Sequence, residues 1–459
     1  MATKDPRTEK VKACLERIKI EDFNVNEVKQ DAYTKFRLHE VCSSHIDKKV
    51  AVFGWVTSSR SGKSNSFFEL TSQFETVKCF IKKSVTFSLQ TTVMVFGTVS
   101  KNQGKDSFEF EITVDAYSVY GGHQAPSFPL NKDSEKDKLL DFAHLGLRLK
   151  ERSLFLQAQS ELLKSLRMFY WSENYTEITP PTLVQTQVEG GATLFKLDYY
   201  GSNAYLTQTS QLYLETAAPV CGKAFCIMPS YRAEKSNTAR HLSEFTHVEA
   251  ELVDITFSTL MDQIEALVRK ASAVFYKSML EKIKKVYPGF EPVVLSDEKF
   301  KRISYKEAIE FLYSKKHMKT DGTEYKMGDD IADASEKYLI KHYANNQPLF
   351  LTSFPVDHKP FYVAKNGTET EACDLLFPGM GEIVGGSMRH TVYEELMEGF
   401  KREGIDPKPY YWYLDMSKYG PSPHGGYGLG FERLLLCLMK YKSVDQASLY
   451  CRKPSRCTP

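Results

Sequence analysis

Residues 231–249 read Tyr-Arg-Ala-Glu-Lys-Ser-Asn-Thr-Ala-Arg-His-Leu-Ser-Glu-Phe-Thr-His-Val-Glu, two short alternating runs on either side of a polar loop. Side chains two apart on a strand share a face, so Arg232 and Glu234 fall together on the first run, and Phe245, His247 and Glu249 on the second. Such a strand pair presents a guanidinium, an aromatic plate and carboxylates on one surface. That inventory suits a triphosphate nucleotide bound beside a small zwitterion. No familiar nucleotide loop competes with it. Ser61-Gly62-Lys63-Ser64 ends like a phosphate loop, but Thr57 stands where the opening glycine is needed. Gly426, Gly428 and Gly430 are spaced two apart, unlike a dinucleotide fingerprint.

A chain of 459 residues is long enough for about two or three domains. A formal net charge of only +2 means that any nucleic-acid contact must come from a local basic face. The amino terminus lacks the apolar core of a signal peptide, and the longest apolar runs, such as Leu434–Met439, are too short to span a bilayer. Nine scattered cysteines without a Cys-x-x-Cys pair argue for reduced thiols. A cytoplasmic protein without a membrane partner is expected.

Residues 1–34 form a polar, neutral amino-terminal extension. Over 35–120, Val50–Val56, Phe67–Leu70, Thr76–Ile81, Val93–Val99 and Phe108–Val114 are β-branched or aromatic runs split by Gly, Ser and Lys clusters. Five short strands predict a small barrel of the oligonucleotide-binding (OB) type, mildly basic. Gly121–Asp141 reads as a hinge. Beyond it, from 142 to 459, Leu149–Trp171 and Ser258–Lys285 have helical periodicity. Strand-like runs recur at Tyr-Thr-Glu-Ile before Pro180-Pro181, and at Leu349–Pro355, Phe361–Ala364 and Glu382–Met388. Strands and helices do not alternate regularly. The prediction is an α+β chain: the barrel, then a mostly antiparallel sheet with helices packed outside.

Arg232, Glu234, Arg240 and Glu249 taken alone could be a solvated edge. Two further clusters argue otherwise. Asp374, Glu382 and Arg389 lie in one Gly-rich stretch, and two carboxylates there suit Mg²⁺, which takes one or two carboxylates plus phosphate oxygens. Arg433 opens a helix behind glycines that let a ligand approach the backbone.

These segments resemble the class II aminoacyl-tRNA synthetases. Residues 225–251 look like motif 2, with Arg232 and Glu234. Gly428-Leu-Gly-Phe-Glu-Arg433, within 424–437, looks like motif 3. The helix and strand closing at Pro180-Pro181, about 160–181, look like motif 1, which forms the dimer interface in that family. With the barrel, the chain resembles the subgroup for Asp, Asn and Lys. Phrases such as Gln187-Val-Glu-Gly-Gly-Ala-Thr-Leu-Phe-Lys, Leu206-Thr-Gln-Thr-Ser-Gln-Leu-Tyr-Leu-Glu and Tyr419-Gly-Pro-Ser-Pro-His-Gly-Gly-Tyr-Gly are most similar to the eukaryotic cytosolic asparaginyl branch.

The resemblance implies ATP-dependent activation of L-asparagine, transfer to the 3′ end of tRNA(Asn), Mg²⁺, and a homodimer through motif 1. Arg232 would bridge the amino-acid carboxylate and the α-phosphate, with Arg240 and His241 on the outer phosphates and Phe245 under adenine. Arg433 would cover adenine's other side or the γ-phosphate. Glu234, Leu242, Ile383, Gly428 and Gly430 would complete the ATP site, and Asp374 and Glu382 would hold the metal. Glu189 and Gln211 would surround the α-ammonium, with Ser210, Glu249, Gly386 and Arg389 nearby. Leu214 would decide the substrate, since the aspartyl enzymes place there a Lys that pairs with the substrate carboxylate. Phe67 and Lys78 would read the anticodon. Aspartyl-tRNA synthetase, a tRNA-independent asparagine synthetase and a catalytically silent tRNA-binding relative are the alternatives. Leu214, the barrel, and the presence of Arg232, Glu382 and Arg433 speak against them respectively.

Overall fold

The computed structural model describes residues 29–104, 106, 108–120, 128–131, 133–188, 194–235 and 238–459. Most of the 1–34 arm, residues 121–127 of the expected hinge, and Glu189 lie outside these. Two compact units divide between Ser153 and Leu154 rather than at 141/142. The charge-rich end of the expected hinge is helical, as Lys136–Asp141 and then Ala143–Gly146.

In the first unit, β1 (Lys49–Ser61), β2 (Ser66–Ser72), β3 (Glu75–Ile81), β4 (Thr92–Lys101) and β5 (Phe110–Tyr120) form the expected barrel. It closes because β1 pairs with both β2 and β4, while β5 pairs with β4 and, in parallel, with β3. Closure leaves no free edge. Val50, Val52 and Val56, then Phe68 and Leu70, then Val77, Cys79 and Ile81 fill its interior in the period-two pattern. The strands outrun the apolar segments that foretold them, since polar residues such as Ser58–Ser61 continue the ladder. The phosphate-loop look-alike is the turn joining β1 to β2, where Gly62 N donates to Asn65 O at 2.7 Å. The end of the polar arm also belongs to this unit. Thr34–Lys35 pairs with Val50–Ala51, and the Tyr33 hydroxyl donates to Asp115 Oδ2 at 3.0 Å.

The second unit is built on eight strands: β6 (Thr176–Glu177), β7 (Lys223–Tyr231), β8 (Glu244–Val253), β9 (Lys301–Ser304), β10 (Leu349–Thr352), β11 (Ala372–Phe377), β12 (Gly381–Met388) and β13 (His424–Gly430). Their order across the sheet is β9-β10-β11-β12-β13-β8-β7-β6. The six central strands are antiparallel to their neighbours, and only the outer pairs β9–β10 and β6–β7 are parallel. The amphipathic helices form as their periodicity predicts. α1 spans Lys150–Ser172, and α3 (Phe257–Val286) buries Leu260, Ile264, Leu267 and Phe275 on one face. Between them α2 runs Gln211–Cys221. Later helices are α4 (Tyr305–Ser314), α5 (Asp333–His342), α6 (Tyr393–Glu403), α7 (Tyr411–Lys418) and α8 (Phe431–Met439).

Two local expectations need correction. Phe361–Ala364 is not a strand; only Val363 makes a bridge, to Arg389. Its apolar residues are there to pack: Phe361 is fully buried and stacks on Phe400 at 4.3 Å between ring centroids. Nor do Arg232 and Glu234 lie on a strand, because β7 ends at Tyr231. Pairing persists for one more bond, Arg232 N to Ser243 O at 2.9 Å, before the chain leaves as a loop.

Candidate active site

The register of the central strands explains the glycine spacing. Asp374 on β11 lies opposite Gly385 on β12, Gly385 opposite Gly428 on β13, and Gly428 opposite Glu249 on β8. At about 4.8 Å per strand, this row makes a floor on the order of 14 Å wide with a carboxylate at each end and no side chain between. In the next row Ala372 lies opposite Ser387, Ser387 opposite Gly426, and Gly426 opposite Glu251. A Cβ at Gly426 would overlap the Glu251 carboxylate, and one at Gly428 the His247 ring. Period two on a strand, rather than phosphate wrapping, dictates these glycines.

Above this floor is a cavity of about 340 Å³. It is lined by Arg232, Arg240, His241, Leu242 and Phe245 from the motif 2 region. Asp374, Glu382, Ile383 and Arg389 come from β11–β12 and its end, and Gly428, Gly430 and Arg433 from the motif 3 region. Gln211 and Glu249 close the opposite end. Arg232 lies over the Phe245 ring, its guanidinium carbon 5.5 Å from the centroid. Arg433, in the first turn of α8, donates to the Glu382 carbonyl at 2.9 Å and to its carboxylate at 3.2 Å. Burial opposes ionisation of Glu382, but Arg433, Lys359 and Arg232 outweigh it and hold the carboxyl at about 2. Burial pushes Asp374 the other way, to about 6, although Lys359 donates to both its oxygens at 3.0 and 2.9 Å. Glu382 Oε1 and Asp374 Oδ1 stand 3.6 and 3.7 Å from where a Cβ of residue 385 would sit, so glycine there keeps open the space on which both carboxylates converge.

At the other end Glu249 is buried. It accepts from the Thr209 hydroxyl and from Ser210 N at 2.9 Å. Arg389 is buried too, paired with Glu251 through Nη2 and donating from Nη1 to Ser387 Oγ at 2.5 Å. Burial, with the neighbouring Glu215 carboxylate, pushes Glu251 up to about 7 against the pull of Arg389. Burial holds the His241 imidazole below its usual range, and Arg433 and Arg240 add to it. Arg240 is engaged by α5, donating to Asp333 at 3.0 Å and Glu336 at 3.1 Å.

Among the expected residues, Glu234, Ser210 and Leu214 do not line the cavity. Glu234 sits on the loop beyond Tyr231, and Ser210 contributes its backbone to Glu249. Leu214 is fully buried among Ala218, Ala224 and Cys226, which corrects the expectation that it faces the substrate. Gln211, Leu214, Glu215 and Ala218 lie at i, i+3, i+4 and i+7 on one stripe of α2, and within it Leu214 and Ala218 pack against Ala224 and Cys226 of β7. Gly386 reaches the cavity only by its backbone, since its Cβ direction points to Tyr427 and Ile264. In the barrel unit, Phe67 is 37% exposed and packs on Phe80 with centroids 5.0 Å apart. Lys78 lies 5.1 Å from the Phe67 ring and is tied to Asp106 at 2.8 Å and Glu111 at 3.4 Å.

The family of class II tRNA synthetases for D, K and N matches residues 135–454. A probable cytoplasmic asparagine–tRNA ligase of Enterocytozoon bieneusi is 65% identical over 98% of both chains. The cytoplasmic asparagine–tRNA ligase of Saccharomyces cerevisiae is 41% identical over 93% of this chain and 79% of its own. The chain belongs to the asparagine–tRNA ligases. Its fold agrees with that of the asparaginyl-tRNA synthetase of Entamoeba histolytica in complex with asparaginyl-adenylate. That match has a TM-score of 0.84 at 33% identity, over 93% of this chain and 99% of the other. Among the described residues, no helix of the enzyme is long and apolar enough to cross a membrane.

Several residues of the ligase's site escaped sequence reasoning. Glu251 continues the alternation of Phe245, His247 and Glu249 by one step and was legible. Lys359, Glu336 and His424 were not, because each reaches the cavity or its surroundings through tertiary pairing. Glu336 accepts from Glu382 N at 3.2 Å, and burial pushes it up to about 7, with Glu382 adding to the effect.

Proposed function

We propose that this cavity joins L-asparagine to ATP and that the adenylate is then delivered to the 3′ adenosine of tRNA(Asn). The observation that carries the reading is the single glycine-floored cavity, with Glu249 and Arg389 at one end and Asp374, Glu382 and Arg433 at the other. The asparagine carboxylate attacks the α-phosphorus, a mixed anhydride forms, and the bond to pyrophosphate breaks. A tRNA hydroxyl then attacks the carbonyl carbon and AMP leaves. The attacking carboxylate is ionised at neutral pH, so no general base is required. Catalysis rests on position and on charge held at the α-phosphate.

Arg232 spans the junction of the two ligands, with Phe245 beneath adenine. Arg240, released from Asp333 and Glu336, and neutral His241 meet the outer phosphates, and Arg433 covers the nucleotide. Gln211, with Glu189, receives the α-ammonium, and Glu249 accepts from the side-chain amide while Arg389 donates to its carbonyl. Asp374 and Glu382 fit Mg²⁺, being hard oxygen donors that face one open space above Gly385. When bound, the ion neutralises phosphate charge and orients the pyrophosphate leaving group. Phe67, with Phe80 behind it, offers a stacking plate for an anticodon base, and Lys78 offers a fixed ammonium beside it. Two units of this kind pair through motif 1, where Met168 and Trp171, three apart on α1, are 45% and 57% exposed.

Amino-acid-dependent ATP–pyrophosphate exchange, run with asparagine and aspartate in parallel, tests the reading. Exchange with asparagine alone is expected; equal or greater exchange with aspartate overturns it. Trp171→Glu is expected to convert a dimer to monomers in analytical ultracentrifugation, and an unchanged sedimentation coefficient removes motif 1 as the interface.

A further inference from the structure

Behind the amino-acid end of the cavity lies a buried polar layer that holds no ligand itself. Glu215, on α2 one turn beyond Gln211, is 2% exposed and does not line the cavity. Four groups converge on it. Gln211 Nε2 donates to Oε1 at 2.9 Å, Tyr413 Oη donates to Oε2 at 2.8 Å, and His424 Nε2 stands 2.9 Å from Oε2. Arg389 Nε lies 3.6 Å from Oε1. His424 Nδ1 also faces an acceptor, the Ser422 carbonyl at 2.7 Å. A ring whose two nitrogens both face acceptors is satisfied only as the imidazolium. Burial opposes that charge, but Glu215 and then Glu251 raise the affinity of His424 for its proton.

The guanidinium of Arg389 is thus held from behind by two protein carboxylates, Glu251 in direct contact and Glu215 beside it. The arrangement has a consequence for the side chain Arg389 meets in front, given the asparagine orientation proposed above, on which this inference rests. A buried guanidinium short of counter-charge recruits an anion. One already supplied with carboxylates still offers a directed N–H to a neutral carbonyl oxygen, but a substrate carboxylate becomes a further buried anion without a new cation. The His424 charge does not supply that cation, because it is directed at Glu215.

We propose that Glu215 is a positioning residue that sets the preference for asparagine over aspartate, by furnishing Arg389 with a second protein counter-charge and fixing its orientation. The residue beside it, Leu214, makes no polar contact with the cavity; the charge that matters is the one Glu215 carries. Gln211 is tied to the same carboxylate, so the α-ammonium end and the side-chain end of the amino acid are registered to one buried group.

The experiment compares ATP–pyrophosphate exchange with asparagine and with aspartate in the full-length enzyme and in Glu215→Gln, which keeps the shape and deletes the charge. The ratio of kcat/KM for asparagine to that for aspartate is expected to fall about ten-fold or more. The change should come from KM values moving in opposite directions while the KM for ATP stays put. Glu215→Asp, which keeps the charge, should recover most of the ratio. A folded Glu215→Gln with the wild-type ratio, or with parallel losses on both amino acids, overturns the proposal. If Glu215→Gln does not fold, Tyr413→Phe removes one donor to the same carboxylate with little change in packing. A smaller fall in the ratio is then expected, and no change overturns the proposal. Wild-type enzyme that exchanges aspartate as well as asparagine would instead overturn the reading beneath it, so the two failures are separable.

Discussion

Arg232 and Leu214 behave differently under substitution because one lines the cavity and the other lines the core. On the reaction proposed above, in which Arg232 holds charge at the α-phosphate, Arg232→Ala is expected to lower asparagine-dependent exchange on the order of 10³-fold while leaving thermal unfolding nearly unchanged. Exchange at the wild-type rate would take Arg232 out of the reaction. Leu214→Lys has a separate fate. It would place an ammonium in the fully buried apolar cluster of Ala218, Ala224 and Cys226, and should destabilise the protein by about 3 kcal/mol or more. A clear drop in Tm, rather than a clean switch to aspartate, is the expected reading. A stable, aspartate-using variant would show that the side chain escapes the core. Arg232, Arg240, Phe245 and Arg433 were legible in the sequence because each sits in a short local pattern of arginine, aromatic or glycine residues. Glu215 was not, since its neighbours Tyr413 and His424 are about 200 residues away along the chain, and only the folded sheet brings them to it.

Elements were legible wherever one face is buried. The barrel strands alternate cleanly because the interior takes every second residue, and α3 shows its period because it lies along the sheet. Phe361–Ala364 failed for the complementary reason, that an apolar run records burial and not conformation. The β2–β3 turn shows a second limit. Gln73 and Phe74 both adopt positive φ, 51° and 72°, with neither a glycine nor an asparagine at either position. A two-residue hairpin turn of this hand favours Asn-Gly, and a bulky residue in the left-handed region costs about 1–2 kcal/mol. Phe74 is 51% exposed, so little packing offsets that cost. Phe74→Gly is expected to stabilise the barrel unit by up to about 1 kcal/mol after the greater entropy of the unfolded glycine is allowed for. Chemical denaturation of the full chain, followed by a probe in the barrel, checks this; a lower midpoint would show that the Phe74 ring has a binding partner in the fold.

At the scale of the whole molecule, burial of the site's acids makes stability depend on pH. Glu336 and Glu432 are each pushed up to about 7, primarily by burial, and Asp374 to about 6. The folded state therefore binds more protons than the unfolded chain between the usual carboxylate range and pH 7, and stability falls as pH rises through that window. The proton on His424 acts in the same sense. His241, His317 and His390 are held below the usual range by burial and act in the opposite sense, an effect that fades as the unfolded imidazoles lose their protons around pH 6.5. From about pH 7 to 8 the raised groups dominate, and Tm is expected to decline. A Tm that rises over that interval would mean these carboxylates are ionised in the folded protein at ordinary values.

The position of β13 has a consequence in time as well as in space. It lies between β8 and β12, and its registers, Leu429 with both Val248 and Val384, tie the carboxy-terminal end of the chain to strands made much earlier. During synthesis β7 and β8 can form their hairpin locally, but one flank of β8 waits without its hydrogen-bonding neighbour until His424–Gly430 emerges. A contact so distant along the chain is slow to form, and an unpaired strand flank is a template for wrong partners. The nascent protein therefore carries its half-built site exposed from the completion of β8 at Val253 until His424–Gly430 is made, and it is this late strand of the sheet that closes the site.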